Sequence, residues 1–289
     1  MNTRSKLLLL SVCVLVSATL CAQSLKVPDR VTAGTSISIP TSGSGEATLY
    51  LFGPAHVAKR KVQFGQSIEL AGDDLRDAGH YTVVLKGGGA DSSTSFFVTA
   101  SKVDDVAFLA RPSRVPASRP GVITGSAFTF DAYQNLELQP TPVTFTLSVE
   151  GAPEIKRTET TKNGVAWTRL DSGKKVGAAK FVASAGDAST TRVVQQVAAD
   201  PCNIRMKAQR TNRGAIEVVT DPIRDCSGNA VPDGTIVTFT SVDASGKSTV
   251  DSRIKRGIAR AELPSSNNAL ISVASGVVMG NEIHWGGKQ

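Results

Sequence analysis

Histidines, cysteines and paired carboxylates are the residues of this chain that could carry acid–base, redox or metal chemistry, and their arrangement supports none of it. His56, His80 and His284 are scattered, and no pair has the spacing of metal ligands. His80 adjoins Tyr81, which favours a structural or exposed role. Asp104-Asp105 falls at an expected junction between β units, a place where calcium can sit. A calcium ion takes six to eight oxygens, however, and other carboxylates are scarce nearby. Asp73-Asp74 and Asp77 fit a crossing loop whose carboxylates accept backbone hydrogen bonds. There is no Gly-x-Ser-x-Gly turn, no Gly-rich phosphate loop and no His-Glu-x-x-His. The sequence therefore assigns no catalytic residue, no cofactor and no metal, and points away from an enzyme.

The four cysteines are best read through export. Cys13 and Cys21 lie in an N-terminal stretch with Arg4 and Lys6, an apolar run from Leu7 to Leu20, and Ala22 before the polar Gln23. That run of about 14 residues is shorter than the roughly 20 of a membrane span. Residues 1–22 read as a signal peptide cut after Ala22. Cys21 leaves an alternative open, acylation as a lipoprotein, against which stands Leu20 where such a signal has a small residue. The exported chain keeps Cys202 and Cys226, and an even pair in an oxidising compartment reads as a disulfide. Free thiols acting as a redox pair would be expected to show a Cys-x-x-Cys spacing. The destination is the periplasm, the cell surface or the extracellular space, with no membrane span after cleavage.

Composition agrees. The 289 residues carry a net charge of +7, with 40% hydrophobic and only 5% aromatic residues. Arg4 and Lys6 leave with the signal, and no dense Lys/Arg run marks a nucleic-acid binder. The length corresponds to two or three domains of about 100–200 residues.

Apolar residues alternate with period two in Ser36–Ile39, Thr48–Phe52, Val143–Leu147 and Ile236–Thr240, separated by turn clusters such as Val231-Pro-Asp-Gly234. Short strands between Gly/Pro turns predict antiparallel sandwiches. An internal repeat sets their boundaries. Asp131-Ala-Tyr-Gln-Asn135 aligns with Asp225-Cys-Ser-Gly-Asn229, and Val143-Thr-Phe-Thr146 with Val237-Thr-Phe-Thr240, both at an offset of 94. Gly164-Val-Ala166 aligns with Gly257-Ile-Ala259 at 93, and Val182-Ala-Ser184 with Val273-Ala-Ser275 at 91.

These motifs resemble the group 1 bacterial immunoglobulin-like domains repeated in invasin- and intimin-type surface proteins, although Gln134 stands where the family has glycine. Earlier in the chain, Asp77-Ala-Gly-His-Tyr81-Thr-Val83 resembles the corner before the sixth strand of immunoglobulin domains, where a tyrosine hydroxyl ties the crossing loop back to the backbone. Val83 replaces the family's cysteine. The expected fold is all-β: a signal peptide (1–22), an Ig-like sandwich (23–100), and two invasin-type sandwiches (103–198 and 200–289), the last with the disulfide. Asp77 and Tyr81 would form the structural corner.

The resemblance implies adhesion-related or structural work at the cell envelope. Its alternatives are a carbohydrate- or protein-binding module of an envelope complex, and a periplasmic chaperone or accessory subunit. The partner would be an envelope or host surface protein or a glycan. Within the repeat, Ala259, Ala261 and Leu263 form an inner face, so Trp167 and Arg169 of the aligned strand should point outward. Trp and Arg are enriched at interface hot spots, which makes this pair a candidate partner contact; packing of Trp167 against a neighbouring domain or a covering loop is the other reading. Tyr133, at the tip of its turn, is a third. Lys59-Arg60-Lys61 and the series Arg111, Arg114 and Arg119 could meet an anionic surface or solvate an edge strand.

Overall fold

The computed structural model describes residues 25–87 and 91–286. The export signal read in 1–22 lies outside the described residues. One short 3-10 turn, Gly72–Leu75, interrupts a chain otherwise built of strands among the described residues. The chain divides into two compact units, the first ending at Thr99 and the second starting at Ala100.

The first unit runs β1 (Arg30–Thr32), β2 (Ile37–Ile39), β3 (Glu46–Phe52), β4 (Val57–Gln63), β5 (Ile68–Leu70), β6 (Gly79–Gly87) and β7 (Ser92–Thr99). One sheet has the order β1-β7-β6-β3-β4, and β2-β5 faces it. Alternation places Ala47, Leu49 and Leu51 of β3 inward with Tyr81, Val83 and Leu85 of β6. The basic run Lys59-Arg60-Lys61 lies on β4, an edge strand, where charge discourages pairing with another sheet.

The second unit holds two immunoglobulin-like sandwiches. The first comprises β8 (Asp105–Arg111), β9 (Arg114–Pro116), β10 (Ile123–Phe130), β11 (Pro142–Ser148), β12 (Ile155–Thr160), β13 (Val165–Leu170), β14 (Gly177–Ala185) and β15 (Ala188–Val197). Its sheets are β13-β10-β8 and β12-β11-β14-β15-β9. Between them Phe108, Phe145 and Phe181 pack as a triad, with ring centroids 4.9–6.2 Å apart. Gly125 faces this triad because a Cβ there would stand 2.8 Å from the Phe181 ring.

The second sandwich comprises β16 (Met206–Arg210), β17 (Ile216–Thr220), β18 (Ile236–Asp243), β19 (Gly246–Arg253), β20 (Arg260–Leu263), β21 (Ala269–Ser275) and β22 (Val278–Trp285). Its sheets are β16-β17-β20 and β19-β18-β21-β22. Here the core keeps Phe239 but has Ile271 in the place of Phe181, and the buried Val218 fills the position of Gly125. Ring volume in one copy has been exchanged for branched side chains in the other.

Strand registers correct one part of the sequence alignment. Phe145 pairs with Ala183, and its counterpart Phe239 pairs with Val273. Ala183 therefore matches Val273 at an offset of 90, not 91. The turns agree, since Gly186 and Gly276 both have φ of 57°. Aligning Val182 with Val273 matches letters but sets an outward side chain on an inward one, because a one-residue slip reverses every side chain of a strand. The motif at 94 holds: Gln134 and Gly228 occupy one turn position at φ 66° and 85°. Glycine adopts that conformation freely, and glutamine does so at some strain.

Candidate functional site

Two features of the second unit are built from residues singled out in the sequence: a junction and a sheet face. At the junction, Asp225 Oδ1 accepts the N–H groups of Ser227 and Asn229, and Oδ2 accepts Asn229 Nδ2 and, at 3.1 Å, the Ala199 N–H. Asp131 does the same one sandwich earlier, taking Tyr133 and Asn135 at Oδ1 and Ser101 N–H at Oδ2, 2.9 Å away. Burial opposes ionisation of both carboxyls. The Asn135 and Asn229 amides and the backbone donors outweigh it and hold both below their ordinary range.

The second junction has further ties. Asn229 Nδ2 donates to Lys174 O at 2.8 Å, Arg119 pairs with Asp200 at 3.1 Å, and the Ser118 and Ser227 hydroxyls meet. Cys202 and Cys226 form a disulfide that fastens the linker to the same turn. Arg119, read in the sequence with the basic stretches, is thus engaged within the molecule.

The sheet face is the outer side of β13-β10-β8. Register places Ser126 of β10 between Trp167 on one side and Leu109 on the other. One row along, Thr124 lies between Arg169 and Arg111. One row the other way, Phe128 lies between Val165 and Ala107. Inward neighbours Phe108, Ala127, Ala166 and Thr168 are buried, whereas Trp167 and Leu109 are each 56% exposed. Arg169 Nε donates to Gly121 O, and the residue is exposed. No carboxylate among the described residues pairs with Arg111 or Arg169; Asp171, the nearest to Arg169 in sequence, accepts the Gly121 N–H.

The same face of the second sandwich is chemically different. Its rows read Lys207–Val219–Arg260 and Gln209–Glu217–Glu262. Arg260 pairs with Glu217 at 3.2 Å. One design thus presents an apolar, aromatic-bearing face with unpaired guanidiniums in one copy and a self-neutralised polar face in the other.

The structure sets Trp167 and Arg169 side by side and adds Arg111 and Leu109, brought in from β8. The clue to Leu109 in the sequence is its place out of phase with the buried Val106 and Phe108. Tyr133 is not part of this face. It lies beyond the Phe130 end of β10, opposite to the Arg169 end, and is 40% exposed.

In the first unit Asp77 lies 3.5 Å from His56, joining the β3–β4 turn to the β5–β6 crossing. Tyr81 is fully buried, yet its hydroxyl meets no hydrogen-bond partner. Burial first, then the Asp77 carboxylate, push the phenol up; the Asp77 amide opposes them without reaching hydrogen-bonding geometry. The corner is therefore a packing corner and lacks the tether that the sequence resemblance implies. Asp74 accepts the Ala71 N–H and an Arg60 guanidinium. Among the described residues no three His, Cys, Asp or Glu side chains gather as metal ligands, and no helix is long and apolar enough to cross a membrane.

No protein-family model matches the chain, and no curated protein matches it. Among solved structures it is similar to FdeC, an Escherichia coli adhesin, with a TM-score of 0.60 at 16% identity over 92% of this chain and 96% of that one. Invasin, a bacterial integrin-binding protein, matches with a TM-score of 0.46 at 12% identity over 90% of this chain and 58% of that one. At 16% identity the likeness to FdeC is one of fold: an all-β series of immunoglobulin-like sandwiches.

Proposed function

We propose that this chain is an exported, non-catalytic adhesion or structural module of the cell envelope, built from invasin-type immunoglobulin-like repeats. The observation that carries the reading is the contrast between two copies of one sheet face. A pure spacer would need no more than the ion-paired surface of the second sandwich. The first sandwich instead keeps Trp167, Leu109 and two unpaired arginines in solvent, the composition of a contact surface. The adhesin described for FdeC supports the same role through fold alone, which does not fix function. The Cys202–Cys226 bridge supports export to an oxidising compartment.

Beads coated with the purified chain, scored for attachment to host cells and to bacterial envelope fractions, test the reading. Saturable attachment that soluble chain competes away supports adhesion, and capture of envelope components alone supports assembly. Attachment to neither overturns both. Export is tested by deleting residues 1–22, which should strand the chain in the cytoplasm.

A further inference from the structure

The exposed face of the β13-β10-β8 sheet has a shape and a charge that together specify a ligand class. Ser126 is small and lies between two large projecting side chains, Trp167 and Leu109, each 56% exposed. With strands about 4.8 Å apart, those walls stand roughly 10 Å apart over a low hydroxyl-bearing floor. The notch is open at the Thr124 row, where Arg111 and Arg169 flank it at a similar spacing. Neither guanidinium has a carboxylate partner among the described residues, so both keep donors for an outside anion.

The size of the face decides between a macromolecular partner and a small one. Three rows along three strands span about 13 by 10 Å, well short of the roughly 800 Å² per partner of a stable protein interface. A sugar ring matches the notch better. One face of a pyranose is lined by C–H groups and can lie on the Trp167 indole, an apolar surface with a polar edge. Its hydroxyls meet those of Ser126 and Thr124. A carboxylate on the ring falls toward Arg111 and Arg169, and the guanidinium fork is the side-chain group suited to bidentate contact with it.

We infer that this face is a binding site for an acidic glycan, in which Trp167 stacks on a sugar ring and Arg111 and Arg169 hold its carboxylate. The inference rests on the reading of the chain as a contact module and gives that contact a chemistry. The second sandwich serves as an internal control: Arg260 stands in the place of Trp167 and is paired with Glu217, and Glu262 stands in the place of Arg169, so the corresponding face offers neither the stacking ring nor the free arginine pair.

The test uses the full exported chain carrying Trp285→Phe, so that Trp167 is the sole indole among the two tryptophans of the sequence. Oligogalacturonate, a carboxylated oligosaccharide, is titrated while Trp167 emission is read, with neutral maltotetraose in parallel. The acidic sugar should change emission saturably, with an apparent affinity at least tenfold above that of the neutral one. Arg169→Gln and Arg111→Gln should each weaken it by about fivefold to tenfold with unchanged thermal melting. Trp167→Ala, followed by calorimetry, should abolish it. Equal response to both sugars, no response, or full binding by Trp167→Ala would overturn the site. Sedimentation showing a dimer that Trp167→Glu dissociates would overturn it in favour of self-association. Bead attachment that persists in Trp167→Ala, with no sugar response in the parent, would sink this site and leave the adhesion reading standing. The converse result would sink the adhesion reading alone.

Discussion

The Asp225 carboxylate accepts the backbone N–H of Ala199 at 3.1 Å, across 26 positions of sequence, and Asp131 holds Ser101 in the same way at 2.9 Å. The residue that defines the repeated turn is therefore also the one that fastens the incoming linker. Turn and linker are set by one carboxylate, and its loss should be felt on both sides of the junction.

Asp225→Ala should destabilise the second unit by about 1–3 kcal/mol, the usual consequence of stranding partly buried donors. Both tryptophans lie in that unit, so urea unfolding followed by indole emission reads it. An unchanged midpoint would show that the linker is held by other contacts.

Acid should reveal the same carboxyls. Their native pKa values lie below the ordinary carboxylate range, so the unfolded chain binds protons more readily than the native one. Their stabilisation is complete above the unfolded value, near 3.9, and is lost as pH falls through the lowered native values. Asp131→Ala/Asp225→Ala should be less stable than the parent at pH 7, and the gap should close below about pH 4. A gap that does not vary with pH would show that these carboxyls are not the linked groups.

The bridge between Cys202 and Cys226 closes a separation of 24 residues. In the chain-entropy view this stabilises the fold by about 3 kcal/mol. Mass spectrometry of the denatured chain should show a gain of two hydrogens on reduction, and the reduced chain should unfold at lower urea. Unchanged mass would mean that the bridge does not form.

Gly125→Val should destabilise the first sandwich of the second unit by about 1–3 kcal/mol through overpacking, since the added atoms meet Phe181 and Phe108. Adding Phe181→Ile, which copies the second sandwich, should recover part of the loss. A double variant that is simply additive would mean that the two positions do not share space.

Trp167 should be quenched by iodide in a Trp285→Phe background far more readily than a buried indole, though less than free indole, reflecting its 56% exposure. Strong protection would place the ring under a neighbouring surface and remove the candidate site.

Much of this architecture is legible in the residue order. Alternation in Val143–Leu147 and Ile236–Thr240 marks strands because a pleated backbone sends successive side chains to opposite faces. The repeat then transfers orientation from a clear strand to an ambiguous one. The inward Ala259, Ala261 and Leu263 imply an outward Trp167, and the ring is exposed. Where the repeat is thin, letter matching fails, as Val182 and Val273 show. Identity at three positions cannot outweigh the face each residue must occupy.

Sequence alone determined that this is a β-rich chain with a duplicated sandwich, a cysteine pair free to bridge, and an aromatic side chain turned to solvent. Those properties follow from local period and from comparison of one segment with another. Tertiary structure decided that Arg111 and Leu109 stand across β10 from Arg169 and Trp167, that the repeated aspartate grips the linker, and that Tyr81 lacks its tether. Period two tells a residue which side of a sheet it faces but not which strand lies beside it. Strand neighbours are chosen by contacts between distant segments, and it is those neighbours that turn two arginines and an indole into one surface.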